Sequence, residues 1–296
     1  MFVDAVEKVQ GYTRPIHIIT RLHGNNTVEP GAATLFFVNE LGYAVTCKHV
    51  AALIVQADTI NDRYNKFKEE RNQIPTGGKY NRRLRDLEQK YNFRDGIVVQ
   101  VKNNFVNCVD KMTSFSVQLH PTEDLALVNF EGFEKLPYQG YAIFLKDSSK
   151  VKQGKSLCRL GYPFPEFSNY KYDSDKDDIE WIDEGKKNTP QFPIDGIVTR
   201  HVLNNNIIAG IELSTPGLRG QSGGPLFDQK GIVYGMQSLT HHLHLGFDIK
   251  DKEIRENGRA KKVSNHPFLH LGRCVHVDVI KSFLKEKNVK FYENEE

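Results

Sequence analysis

The stretch Gly217–Gly235, GLRGQSGGPLFDQKGIVYG, decides how the rest of the chain is read. One hydroxyl, Ser222, stands among Gly220, Gly223 and Gly224, and an apolar run follows. Gly and Ser together suit an ordinary surface turn for local backbone reasons. Three glycines around one serine point further, because residues without a Cβ let the backbone come close to a ligand and aim its N–H groups at it. A nucleophilic serine needs that geometry. The N–H groups of Gly220 and Ser222 would then pair as oxyanion donors, worth about 3 to 4 kcal/mol each. Serine alone is inert at neutral pH, so this reading requires a base and an orienting acid elsewhere.

Two upstream stretches supply candidates. GYAVTCKHVAA, Gly42–Ala52, sets His49 after an apolar strand and before a small-residue helical start. HPTEDLALVNF, His120–Phe130, sets Asp124 at the entrance to a strongly apolar strand, where a carboxylate would be partly buried and in need of a partner. A histidine at a strand end is often structural, and an Asp at a strand edge often caps a turn. The order His, Asp, Ser carries more weight than any member, since acyl transfer needs a nucleophile, a base to take its proton and a carboxylate to orient the base.

Around these blocks, short β-branched runs such as TLFFV, GIVVQV, LALVNF, IIAGIEL and GIVYGM alternate with turn signals, the pattern of a β-sandwich or barrel. A boundary is expected near Phe133–Gly140, which separates domains 1–136 and 137–296. Three segments break the β pattern. Residues 51–93 carry helical stripes, Ile60, Tyr64 and Phe67, then Tyr80, Leu84, Leu87 and Tyr91, and predict a helical hairpin. Its surface includes Arg82, Arg83 and Arg85, a solvated face or a dock for a regulatory partner. Residues 165–190 are acidic and predict a long loop. Asp173, Asp175, Asp177 and Glu184 match a calcium-loop spacing, but Asp178 stands where that loop needs Gly, so chance acidity is the better reading. A terminal helix is expected over 278–288 with Asp278 as N-cap.

The chain has 296 residues, 39% hydrophobic and 26% charged, with a net charge of +3, too small to argue for a nucleic-acid partner. The N-terminus reads neither as a signal peptide nor as a membrane span, which predicts a cytoplasmic protein. Cys47, Cys108, Cys158 and Cys274 are widely spaced without CxxC and are expected as free, buried thiols. No metal or other cofactor is expected.

YAVTCKHV, DLALV and GQSGGPLF together resemble the catalytic blocks of the trypsin-like, chymotrypsin-like double-β-barrel serine peptidases. The likeness is nearest to the intracellular bacterial, high-temperature-requirement type, here without a PDZ domain. It implies a mostly β fold of two packed antiparallel six-stranded β-barrels, with the helical hairpin as an insertion and a C-terminal helix. It also implies His49 as general base and acid, Asp124 as orienter, Ser222 as nucleophile, and Gly220 and Ser222 as oxyanion hole. Protein or peptide is the implied substrate, hydrolysed through an acyl-enzyme. A catalytically idle scaffold, or a sensor binding a partner through the basic hairpin, is the alternative.

Departures from the family pattern carry information. Val50 and Leu218 stand where secreted members have cysteines, and Gln221 stands where they have the Asp that pairs with a freed N-terminus. Neither disulfides nor activation by N-terminal cleavage is therefore expected. Pro216 replaces the tryptic Asp, so a Lys or Arg preference has no support there. Pro216, Ser238 and Thr240 are the expected pocket residues. The run His241, His242 and His244 would set a positive group near a substrate carboxylate, bind adventitious metal or simply form a polar hairpin.

Overall fold

The computed structural model describes residues 1–256 and 258–295, so Glu296, the end of the expected second domain, lies outside the described residues. The first half runs α1 Val3–Gln10, β1 Thr13–Leu22, β2 Val28–Phe37, β3 Tyr43–Thr46, α2 Lys48–Asn72, α3 Tyr80–Lys90, β4 Val98–Phe105, β5 Ser114–Leu119 and β6 Ala126–Glu131. The second half runs β7 Ile143–Phe144, β8 Ser156–Gly161, β9 Tyr170–Asp173, β10 Asp178–Trp181, β11 Phe192–Asn204, β12 Ile207–Leu213, β13 Pro225–Phe227, β14 Ile232–His244, β15 Ile249–Glu256, β16 Arg259–Asn265, β17 Phe268–His276, α4 Val277–Glu286 and β18 Tyr292–Glu293.

The fold is mostly β. Six strands of the first half form one antiparallel sheet in the order β4-β1-β2-β3-β6-β5. In the second half β13-β8-β11-β12-β17-β14 are neighbours, and β13 pairs back onto β14, which closes a ring of six strands. Two additions depart from the all-antiparallel expectation: β7 lies parallel to β14, and β18 parallel to β7. The short apolar runs form strands because covering both faces favours β-branched and aromatic side chains. Phe36, Phe37, Val45, Leu127, Phe144, Leu160, Leu226 and Val233 are buried in one continuous core shared by the two sheets. Although first in the chain, α1 touches β8 of the second sheet as well as β1, and a Cβ on Gly231 would lie 3.1 Å from Lys8 and 3.5 Å from Val9.

The helical segment differs from expectation at its start. Helix α2 begins at Lys48, three residues before the predicted Ala51, so His49 sits in its first turn. Tyr64 and Phe67 of α2 bury against Leu87 of α3, Phe93 and Val99. The acidic segment is not a structureless loop. Its centre is the hairpin β9–β10, and Asp177 at the turn has φ +49°. The Asp177 carboxylate accepts from Arg21 and Arg71 at 2.8 and 2.9 Å and from the Tyr172 and Tyr64 hydroxyls, so it is spent on cations of this chain rather than poised for calcium. Asp173 instead accepts from the N–H groups of Asp175 and Lys176. The terminal helix starts at Val277, capped by His276, whose Nδ1 accepts from the Asp278 N–H at 3.2 Å; Asp278 is therefore inside the helix and not its cap. All four cysteines are unpaired and buried. Among the described residues no helix is long and apolar enough to cross a membrane.

His17, in β1, illustrates how burial couples to pH. It is fully buried, stacks on Phe167 with ring centroids 3.9 Å apart, and its Nε2 meets the Thr189 hydroxyl at 2.8 Å. Its Nδ1 has no partner among the described residues. Burial pushes the pKa down to about 4. The folded state thus binds this proton less readily than the unfolded chain, so its contribution is fully present above about 6.5 and disappears as pH falls toward about 4. The expected loss is up to about 3 kcal/mol over that window. His120 and His276 are also lowered by burial and add to the slope. Urea midpoints measured from pH 7 to pH 4 should fall steeply in wild type and less steeply in His17→Phe; equal slopes would refute the assignment to His17.

Candidate active site

The strand-to-helix junction β3–α2 carries the first site residue. Cys47 is extended at the N-cap but offers no side-chain cap, which leaves the first N–H groups of α2 without an intrahelical partner. A distant carboxylate fills this gap: Asp124 Oδ1 accepts from the His49 backbone N–H at 3.0 Å. The same carboxylate meets the His49 ring Nδ1 at 3.0 and 2.9 Å through its two oxygens. Ser238 Oγ donates to Asp124 Oδ2 at 2.6 Å. Asp124 is thereby placed at a helix N-terminus, where negative charge is favoured.

The loop that carries Asp124 is tied down on both sides. Lys48 Nζ donates to the carbonyls of His120 and Pro121 at 2.8 and 3.0 Å, and His120 Nδ1 accepts from the N–H groups of Thr122 and Glu123. Burial works to raise the Asp124 pKa. The hydrogen bonds from the His49 ring, the Ser238 hydroxyl and the His49 N–H outweigh it and hold the group at about 2. Asp124 is ionised at neutral pH, and its side chain is 25% exposed against 54% for His49.

The third residue sits on a double turn. Gln221 N–H bonds to the Leu218 carbonyl at 3.0 Å, and Gly224 N–H to the Gln221 carbonyl at 2.8 Å. Gly220 and Gly223, third in each turn, have φ +94° and +88°, the left-handed conformation that a type II turn demands there. Both turns are wedged against neighbouring backbone. A Cβ on Gly223 would lie 2.0 Å from the Thr34 carbonyl oxygen, and one on Gly224 2.1 Å from that of Leu160. Thr34 of β2 holds the loop to the first sheet, its N–H donating to the Ser222 carbonyl at 2.9 Å and its hydroxyl to the Gly220 carbonyl at 2.7 Å. Among the described residues the N–H groups of Gly220 and Ser222 have no partner, so both donors are available. Ser222 Oγ donates to the Ser238 carbonyl at 3.2 Å, and no hydrogen bond joins it to His49 among the described residues.

His49, Ser222, Pro216, Ser238 and Thr240 line one cleft of about 550 Å³, together with Gln237, Leu239, Arg219, His242 and His270. Gly220 is not in its lining. Thr240 Oγ1 donates to the Gly217 carbonyl at 2.6 Å and so spans the two walls. Ser238, expected as a wall residue, also has its hydroxyl on Asp124. Gln237 holds the nucleophile turn in place: its carbonyl accepts from the Gly223 N–H and its N–H donates to the Gly224 carbonyl, both at 2.8 Å. Of the histidine run, His241 reaches Glu212 at 3.4 Å, His242 meets His270, and His244 pairs with Asp248 at 2.7 Å.

One sulfur lies beside the site. The Cys47 thiol, a His49 ring nitrogen and an Asp124 oxygen lie within 4.8 Å of one another, a spacing compatible with a metal ion. Burial, reinforced by the Asp124 charge, pushes the Cys47 pKa well above its usual value, and its Sγ donates to the Gln237 carbonyl at 3.2 Å.

The fold thus carries His49 bonded to Asp124, and Ser222 on a glycine-flanked turn, with His49 and Ser222 lining one cleft. The chain belongs to the trypsin-like peptidase family, whose domain model, described as trypsin-like peptidase domain, matches residues 33–236. Among solved structures it is similar to the HtrA-type protease AlgW with decapeptide, at 11% identity and a TM-score of 0.50, over 97% of this chain and 67% of that one. It is also similar to the HtrA-type protease AlgW with tripeptide, at 13% identity and a TM-score of 0.48, over 97% of this chain and 63% of that one. The chain thus spans less than two thirds of the latter's length, and the likeness is one of fold. No curated protein matches the sequence.

Proposed function

We propose that this chain is a serine endopeptidase that hydrolyses peptide bonds through an acyl-enzyme on Ser222. His49 takes the Ser222 proton as Oγ attacks the substrate carbonyl, and returns it to the leaving amine as the C–N bond breaks. Water, deprotonated by His49, then cleaves the ester and restores the serine. The N–H groups of Gly220 and Ser222 receive the oxyanion, and Asp124 keeps the imidazole in the tautomer whose Nε2 accepts. The observation that carries the reading is the Asp124 carboxylate, shared by the His49 ring, the His49 backbone and Ser238, two residues that line the same cleft as Ser222.

Ser222 Oγ on the Ser238 carbonyl favours the second reading, an idle scaffold. Catalytic hydrogen bonds are often long or misaligned without substrate and tighten in the complex, so the same geometry suits a resting enzyme. Hydrolysis of an unstructured protein such as casein decides between them: wild type should cleave it and Ser222→Ala should fall to background. Equal hydrolysis by both, or by neither, would sink the peptidase reading. The hairpin α2–α3 is read as a shield, because its apolar stripe is covered and Arg71 and Lys68 are engaged by the β9–β10 turn, with Arg82, Arg83 and Arg85 left on an exposed face. The four free thiols fit the reducing compartment expected from sequence.

A further inference from the structure

The largest fully buried side chain in the protein is a cation, Arg159 of β8. Its Nη1 donates to Gln237 Oε1 at 2.8 Å, and its Nη2 to the Thr215 carbonyl and hydroxyl at 3.1 and 2.5 Å. Among the described residues its Nε has no partner. Among the described residues no carboxylate forms an ion pair with it; Asp195, whose charge it feels, is exposed. A guanidinium taken out of water and given only neutral acceptors is costly, since such a charge normally needs a counter-charge.

The cation also stands directly behind the cleft. A Cβ on Gly272 would lie 2.1 Å from Arg159 Nη1, and one on Gly217 would lie 2.2 Å from Gln237 Nε2. Gly217 lines the cleft and lets the Gln237 carboxamide, whose Nε2 donates to the Leu239 carbonyl at 2.9 Å, press against that wall, while Gly272 makes room for the guanidinium beside it. Gln237 lines the cleft beside Ser222, and the remaining charged or titratable lining groups are His49, Arg219, His242 and His270, with no Asp or Glu among them. The bridge from Thr240 to Gly217 keeps the slot short.

Resting on the serine peptidase reading, we propose that the cleft takes an acidic side chain, Asp or Glu, on the residue whose carbonyl Ser222 attacks. Arg159 is the buried counter-charge and acts through Gln237, so both are specificity residues of the same site. A carboxylate entering the slot polarises the Gln237 amide and pairs with the field of a cation that water screens poorly, whereas a Lys or Arg side chain meets the same charge with the opposite sign. The discrimination expected over an uncharged isostere is about 30-fold.

The test uses the full chain and a set of peptides that differ only at that residue: Glu, Asp, Gln, Asn, Leu and Lys. kcat/KM should be highest for Glu and Asp, about 30-fold above Gln and Asn, and lowest for Lys. Gln237→Glu keeps the side-chain shape but supplies Arg159 with its own carboxylate, and should erase the preference while the protein stays folded by circular dichroism. Arg159→Met should erase it as well if it folds. Equal rates for Glu and Gln, or a preference unmoved in Gln237→Glu, would overturn the proposal. Binding of the corresponding product peptides, ending in Glu, Gln, Leu or Lys, to Ser222→Ala by fluorescence anisotropy separates the two readings. Acid-selective binding without turnover in wild type keeps the site and overturns the peptidase reading. Turnover without acid selectivity does the reverse.

Discussion

An Asp124→Asn variant is expected to fold and to turn over a peptide about 10⁴-fold more slowly than wild type. An ionised carboxylate only accepts hydrogen bonds, and Asp124 accepts from the His49 N–H, the His49 ring and the Ser238 hydroxyl at 3.0, 2.9 and 2.6 Å. An amide presents one accepting oxygen and one donating nitrogen. When that nitrogen faces the imidazole, it selects the tautomer whose Nε2 carries a proton, and such a ring cannot take the proton of Ser222. The stability change should be small, about 1 kcal/mol, because the oxygen can still cap the first turn of α2. Steady-state turnover together with a thermal melt checks both halves. A loss below tenfold would contradict the role assigned to Asp124, and so would a variant that is inactive because it is unfolded.

Much of the candidate site is legible in sequence because each expected residue adjoins a local signal: His49 the end of an apolar strand, Asp124 the start of one, Ser222 a cluster of glycines. What escapes is whatever depends on partners far away in the chain. Ser238 lies in MQSLT without local distinction, and its hydroxyl meets Asp124 only in the folded chain, 114 residues apart in sequence. Arg159 sits in an otherwise apolar strand, and that lone charge is the signal that could have marked it. The start of α2 differs from expectation for the same reason, since its cap comes from Asp124 and not from Cys47. The β9–β10 hairpin is too short and too charged for an alternation to show, and it is held by Asp177 bridging Arg21 and Arg71 across the fold.

A second large effect is expected from a single methyl group. In Gly223→Ala the new Cβ would meet the Thr34 carbonyl oxygen at 2.0 Å and Thr46 Oγ1 at 2.4 Å, in a residue with φ +88°. The left-handed conformation alone costs roughly 1 to 2 kcal/mol. The collision adds to this, because Thr34 of β2 and Thr46 of β3 are joined by a 2.7 Å hydrogen bond within the first sheet and neither can yield freely. Relief requires the turn to move away from β2, and a displacement of Ser222 of about 1 Å should lower activity about 10²-fold in the molecules that remain folded. Gly246→Ala is the matched control, with φ +83° and nothing within 4 Å of the new Cβ. Urea midpoints and ester turnover of the two variants should differ, with Gly223→Ala losing more stability and nearly all activity. Equal stability losses with activity retained in both would show that the packing of the nucleophile turn against the first sheet is unimportant.

The most direct measurement is covalent: the folded protein is treated with a fluorophosphonate and digested, and the adduct is located by mass spectrometry. A triad mechanism predicts one adduct, on Ser222, absent from Ser222→Ala and from His49→Ala although both remain folded. No adduct on folded wild type at saturating probe, or equal labelling of Ser222→Ala, would contradict it.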